Sequence, residues 1–328
     1  QSQSTNDTFP AAIHIATVEG ITKNLLPEIA RLIDVFSQKS REWDQIIKIG
    51  RTHLQDAVPI TLGQEVSAWQ AQLEASLERI EINLKELYPL PLGGTAIGTG
   101  LNTPKNFDNL IALDIARKTN VPFETATNKF AIMASHDGLV NIMSQLKLLA
   151  VTLLKIVNDL RLLSCGPRAG FSELQLPVNE PGSSIMPGKV NPTQCEAMAM
   201  VCTQIIGMDT SVSIAGSGGH LQMNAYKPLI GYNILKSINL IQNACKSCRK
   251  HMIEGMQPNE EKIKEYLENS LMLVTALAPS IGYEKASEIA QLAHKKNLSL
   301  RQASIQLNYI DQKEFDNLTN PKSMIRGD

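Results

Sequence analysis

The sequence predicts an all-α protein: an elongated bundle of long helices forming an oligomeric core, followed by a small helical C-terminal domain. Three observations carry this. Apolar residues recur at three- and four-residue spacing over long, unbroken stretches. One stretch, 130–163, is apolar on every face, so one small bundle cannot cover it and partner subunits are expected to. After Pro258-Asn259 the helical segments shorten, which places a domain boundary near 260. The long-helix domain is then 1–260 and carries the functional loops; the small domain is 261–328.

The elements follow in order. Asp7 and Thr8 are candidate caps, with Pro10 in the first turn, for a helix whose apolar face runs through Ile13, Ile21, Leu25, Ile29, Leu32 and Phe36. A second helix is expected over 62–87 and a third over about 107–118. The fourth covers about 130–163; Asp137, Lys147, Lys155 and Asp159 interrupt it too often for a membrane span. The fifth and sixth run over about 192–208 and 228–256. Beyond the boundary, short helices are expected at 260–269, 283–296, 299–307 and 312–318.

Composition narrows the function. A net charge of −1 argues against nucleic acid and anionic membrane surfaces as partners. The cysteines at 165, 195, 202, 245 and 248 are sparse for 328 residues, which reads as a reducing compartment. Cys245 and Cys248 form a lone CxxC inside a helical pattern, without a second pair for zinc or the βαβ context of a redox motif. They are read as inert thiols. The chain opens on Gln1-Ser2-Gln3-Ser4, with no targeting pattern.

The chemistry concentrates in Gly182-Ser183-Ser184-Ile185-Met186-Pro187-Gly188-Lys189-Val190-Asn191-Pro192. Its glycines and prolines forbid a regular helix and favour a shaped loop. Unpaired backbone N–H groups, hydroxyls and one ammonium in such a loop suit a carboxylate and charge developing on it. The plain alternative is a surface loop with a turn-capping serine and a solvated lysine. Asn191 before Pro192 also has the layout of a helix N-cap. Gly93-Gly94-Thr95-Ala96-Ile97-Gly98-Thr99-Gly100 invites a phosphate-loop reading, but it lacks the Lys-Ser/Thr of that motif and no strand precedes it.

The loop GSSIMPGKVNPTQCEAM resembles the shared loop of the fumarase/aspartase superfamily. KIGRTHLQDAVP at 48–59, STNDTFP at 4–10 and GGTAIGTGLN at 93–102 resemble its other segments, so the likeness runs from end to end. MPGKVNPTQCE together with RTH is similar to the metal-independent class II fumarases. Aspartases typically carry Gln in place of His53, and argininosuccinate and adenylosuccinate lyases carry other residues between Pro187 and Asn191.

The resemblance implies reversible hydration of fumarate to (S)-malate in the citric acid cycle. It implies Ser183 as the base that takes the C3 proton, and His53, paired with Glu196, as the group serving the leaving hydroxyl. It implies Lys189, Asn191, Thr52, Ser4, Thr5 and Asn6 as substrate ligands. Fumarases commonly have two serines before this Asn; Thr5 departs from that and keeps the hydroxyl. No cofactor or metal is implied, and the cysteines lack iron–sulfur spacing. It further implies a homotetramer with sites shared between subunits, a cytoplasmic (or, in a eukaryote, mitochondrial matrix) location, and a small domain preceding this segment. The rival readings are aspartate ammonia-lyase or a related lyase, and an inert helical oligomer or fragment.

Overall fold

The computed structural model describes residues 3–325. The outermost residues of the two expected domains, 1–2 and 326–328, lie outside the described residues. In chain order the helices are α1 (Thr5–Gly20), α2 (Leu26–Glu42), α3 (Leu62–Leu84), α4 (Phe107–Thr119), α5 (Lys129–Ala134), α6 (Asp137–Leu163), α7 (Thr193–Gly216) and α8 (Lys227–Cys248). Shorter helices follow: α9 (Glu260–Asn269), α10 (Ala278–Ile281), α11 (Tyr283–Lys296), α12 (Leu300–Leu307), α13 (Gln312–Leu318) and α14 (Pro321–Ile325). Between α2 and α3 lies a hairpin of β1 (Ile47–Thr52) and β2 (Gln55–Thr61). The all-α expectation holds, with this hairpin as its one substantial addition.

Three local differences have simple causes. Helix α1 begins earlier than Asp7, because Ser4 caps it. The Ser4 hydroxyl accepts the Asn6 N–H at 3.1 Å while the Asp7 carboxylate accepts the Ser4 N–H at 3.2 Å, a capping box. The helix expected over 130–163 is broken at 135–136. There Ser135 turns extended (φ −129°, ψ 152°) and donates to Asp137 Oδ1 at 2.6 Å. The hairpin's alternation is short and holds Pro59, signals too weak to register against the helical pattern.

The chain forms two compact units. One comprises Gln1–Val35, Ala71–Arg161 and Pro177–Gly255, the other Phe36–Gln70, Leu162–Leu176 and Met256–Asp328, each over its described residues. The segment after 260 thus packs in one unit with the hairpin and 162–176.

In the first unit, α6 buries Leu139, Ile142, Met143, Leu146, Leu149, Leu153 and Ile156, a stripe at helical spacing. Helix α8 presents Ile230, Ile234, Ile238 and Ile241 in the same way. Helices α1 and α8 meet closely at Gly231, where a Cβ would come within 2.9 Å of Ile13 Cδ1. The opposite faces are also apolar and stay bare: Leu148 and Val151 on α6, Met200 and Ile214 on α7, Tyr232 on α8. Despite Asp137, Lys147, Lys155 and Asp159, α6 is long and apolar enough to pass for a membrane span by length and composition alone, as is α7; the same holds for core helices of soluble proteins, and 44% and 28% of their apolar windows are buried.

His14 and His136 are buried in this unit. Burial pushes each imidazole down to about 4. A neutral His14 donates its Nδ1–H to the Leu87 carbonyl at 3.1 Å. The unfolded chain takes up protons near pH 6.5, where the folded chain refuses them. Stability is therefore full above that pH and falls as pH drops toward 4, by up to about 3 kcal/mol per histidine. Denaturant midpoints at pH 7.5 and 5 are expected to show this slope, and His136→Leu to flatten it; an unchanged slope counts against the histidines.

The second unit has two cores. Phe36, Trp43 and Trp69 fill one, with Phe36 and Trp69 edge to face at 5.9 Å. Val274, Leu277, Ala286, Ile289, Ala293, Leu300, Ala303 and Phe315 form the other, built from α11, α12, α13 and the 3₁₀ turn Leu271–Leu277.

Candidate active site

The expected site residues fall into three groups, each fixed by its own local structure. The first is Ser4, Thr5 and Asn6 at the start of α1. Asn6 Nδ2 donates to the Ala96 carbonyl at 2.8 Å. Asp7, fully buried, accepts the Gly93 and Thr95 N–H groups at 3.1 and 2.9 Å. The glycine-rich loop thus wraps a carboxylate of this chain, and Asp7 does more than cap a helix. Capping does not disqualify Ser4 as a ligand, since a hydroxyl that accepts one N–H still has its own proton to donate.

The second group is the loop 182–192. Ser183 Oγ accepts the Ile185 and Met186 N–H groups at 3.2 and 3.0 Å. Two N–H dipoles converging on one hydroxyl oxygen favour its anionic form. The loop's neck is closed by Gly182 N–H donating to Lys189 O at 2.9 Å and Asn191 Nδ2 donating to Gly182 O at 2.6 Å. A Cβ on Gly182 would lie 2.2 Å from the Lys189 carbonyl oxygen, so this approach requires glycine. Asn191 does not cap α7; its Oδ1 accepts Lys189 Nζ at 2.5 Å. Pro192 takes the cap position, and the side chain is left to aim the ammonium, which keeps two further N–H groups. Glu196 sits in the first turn of α7, half-exposed, with Arg161 at 3.8 Å.

The third group is the hairpin tip. His53 and Leu54 form a two-residue connection, both with left-handed backbone (φ 54° and 60°). That geometry belongs to type I′ turns and favours Asn-Gly, so a His-Leu pair stores strain there. Thr52, His53 and Leu54 are exposed, and the His53 ring has no hydrogen-bond partner among the described residues. Beneath the tip lies a charge network that sequence reasoning missed. Glu173, fully buried, lies 2.8 Å from Arg51 and 2.9 Å from Lys48, and Lys48 also reaches Glu65 at 2.8 Å. The Arg51 guanidinium stacks 4.3 Å from the Phe171 ring centroid and 5.6 Å from that of Tyr266. Arg51 was visible inside the RTH motif; nothing local marks Glu173, 122 positions away.

Hydrogen bonds tie residues within each group. Within the first unit, none joins the Ser4–Asn6 group to the Ser183–Asn191 group among the described residues. The cysteines stand apart: burial pushes Cys195 and Cys202 up to about 12 and raises Cys245 and Cys248 as well.

This arrangement of loop, capped helix and hairpin has close parallels. A family model described as Lyase matches residues 1–207, and one described as Fumarase C C-terminus matches 273–326. A fumarate hydratase class II of the bacterium Prochlorococcus marinus is 67% identical over 324 residues, covering 99% of this chain and 70% of that protein. The chain belongs to the class II fumarate hydratase family. The Rickettsia bellii (strain RML369-C) member is 52% identical over 326 residues, with the same coverage. The crystal structure of recombinant class II fumarase from Schistosoma mansoni superposes with a TM-score of 0.95 at 41% identity, covering 98% of this chain and 71% of that one. The fumarate hydratase likeness therefore spans all three groups.

Proposed function

We propose a division of labour for the reaction of this family, the reversible hydration of fumarate to (S)-malate, a step of the citric acid cycle. The chain is an enzyme of the lyase class and catalyses this hydration. The observation that carries the assignment of roles is the Ser183 oxygen held by two N–H groups in the loop that also presents Lys189. In the dehydration direction, Ser183 as alkoxide takes the C3 proton of malate. The adjacent carboxylate gains charge, and Lys189, aimed by Asn191, stabilises it. His53 as imidazolium gives its proton to the leaving hydroxyl, and Glu196 supports the charged ring. Thr52, Ser4, Thr5 and Asn6 hold the remaining carboxylate and hydroxyl. Each turnover ends with Ser183 protonated and His53 neutral, and both reset by exchange with water.

The same reading makes the enzyme a homotetramer with shared sites. Bare apolar faces on α6, α7 and α8 need cover that one chain does not supply, and soluble monomers avoid patches of this kind. The exposed hairpin tip leaves His53 free to meet Glu196 of another subunit. Sparse thiols, four of the five buried, support a reducing, cytoplasmic setting. The boundary near 260 belongs to this proposal as well. Aspartate ammonia-lyase activity and an inert scaffold are not favoured by the comparisons.

Subunit mixing tests the shared site. Ser183→Ala and His53→Asn enzymes, each inactive, are expected to regain part of the activity when unfolded and refolded together, because some sites then draw only unaltered residues. No recovery in mixed oligomers, or a monodisperse active monomer in sedimentation, overturns it.

A further inference from the structure

Behind the first group lies a set of buried polar side chains that the mechanism does not use. Lys227, at the start of α8, is more than nine-tenths buried, and its Nζ has no hydrogen-bond partner among the described residues. His136, at the α5–α6 break, is buried with both ring nitrogens unpartnered, and the Thr95 hydroxyl is likewise buried and unpartnered. Helices α1 and α8 run side by side in parallel, Ile13 against Gly231 and Gly20 against Ile238, which brings Lys227 to the first turn of α1 and Asp7; His136 in turn faces Lys227, His14 and Asp137. A buried ammonium without a countercharge is costly. Burial keeps both histidines neutral and also lowers Lys227 from the usual lysine range, and the neighbouring Asp7 carboxyl opposes that lowering.

Asp7 links this cluster to the site. Its carboxylate accepts N–H groups from Ser4, Gly93 and Thr95 at once. It therefore joins the start of α1 to the glycine-rich loop, and Asn6 repeats the join through Ala96. We propose that Lys227 is a positioning residue: it supplies the countercharge to Asp7, and the Asp7 carboxylate clamps Ser4–Thr5–Asn6 to the 93–96 loop in substrate-binding geometry. This inference rests on the reading that Ser4–Asn6 bind substrate.

The test uses the full-length oligomeric enzyme with Lys227→Met, Asp7→Asn and the double variant. Lys227→Met is expected to raise KM for malate by ~10-fold or more with a smaller change in kcat. The double variant is expected to lose no more than Asp7→Asn alone, since Lys227 acts only through Asp7. Unchanged KM in Lys227→Met, or strictly additive losses in the double variant, overturn the proposal. Amide exchange decides even where Lys227→Met fails to fold. The Gly93 and Thr95 amides of the unaltered enzyme are expected to be protected at pH 7 and to lose protection in Lys227→Gln; free exchange in the unaltered enzyme overturns the clamp. Asn6→Ala separates the two readings. If it leaves KM unchanged, Ser4–Asn6 do not bind substrate, while amide exchange still reports on Lys227.

Discussion

Ser183→Ala is expected to lower malate–fumarate turnover by roughly 10²-fold or more while folding and assembly stay intact. The size follows from what the hydroxyl alone supplies. An ordinary serine is a poor base, and the structure provides what changes that: the Ile185 and Met186 N–H groups pointing at its oxygen. Alanine removes the oxygen and keeps the loop, because the neck is closed by Gly182, Lys189 and Asn191 rather than by the serine. KM should change little, since the other ligands lie on Lys189, Asn191 and other elements. Circular dichroism and sedimentation identical to the unaltered enzyme, with kcat down by the stated factor, is the expected result. A well-folded variant with near-normal kcat removes Ser183 from the mechanism.

Glu173→Gln is expected to destabilise the second unit by about 3–5 kcal/mol. Glu173 is fully buried between Lys48 and Arg51, themselves largely buried. With Glu65, the four side chains are neutral as a set. Removing one carboxylate leaves a buried positive charge that the stacked rings of Phe171 and Tyr266 offset only in part. Denaturant unfolding followed by tryptophan fluorescence reads the effect directly, because Trp43 and Trp69 both lie in this unit. Turnover should fall as well, since Arg51 anchors the strand that carries Thr52 and His53. A stability change below about 1 kcal/mol would show that water reaches Lys48 and Arg51 and that the network carries little.

Much of the architecture was legible in the sequence. The short helices at 260–269, 283–296 and 312–318 appear with those bounds, because caps such as Asn259 and Asp311 and stops such as Asn297 are local signals. The family followed from motif wording, and Ser183, Lys189 and Asn191 follow from that wording residue by residue. The two competing readings of Asn191 were beyond the sequence, because capping and ammonium-holding use the same side-chain oxygen and only geometry chooses. The hairpin was hidden because its alternation spans few residues and its turn uses His-Leu where a turn signal would use Asn-Gly.

What the sequence by itself determined is therefore most of the helices, the punctuation of the 182–192 loop and the family. These depend on neighbours a few positions apart, where periodicity, capping and punctuation act. Only the tertiary structure decided that Asp7 holds the glycine-rich loop, that Glu173 lies under the hairpin, and that Lys227 and His136 share one buried cluster. Those pairings join segments tens to more than a hundred residues apart. Their energy comes from burying charge and matching it inside the core, a term that appears only once the chain has folded.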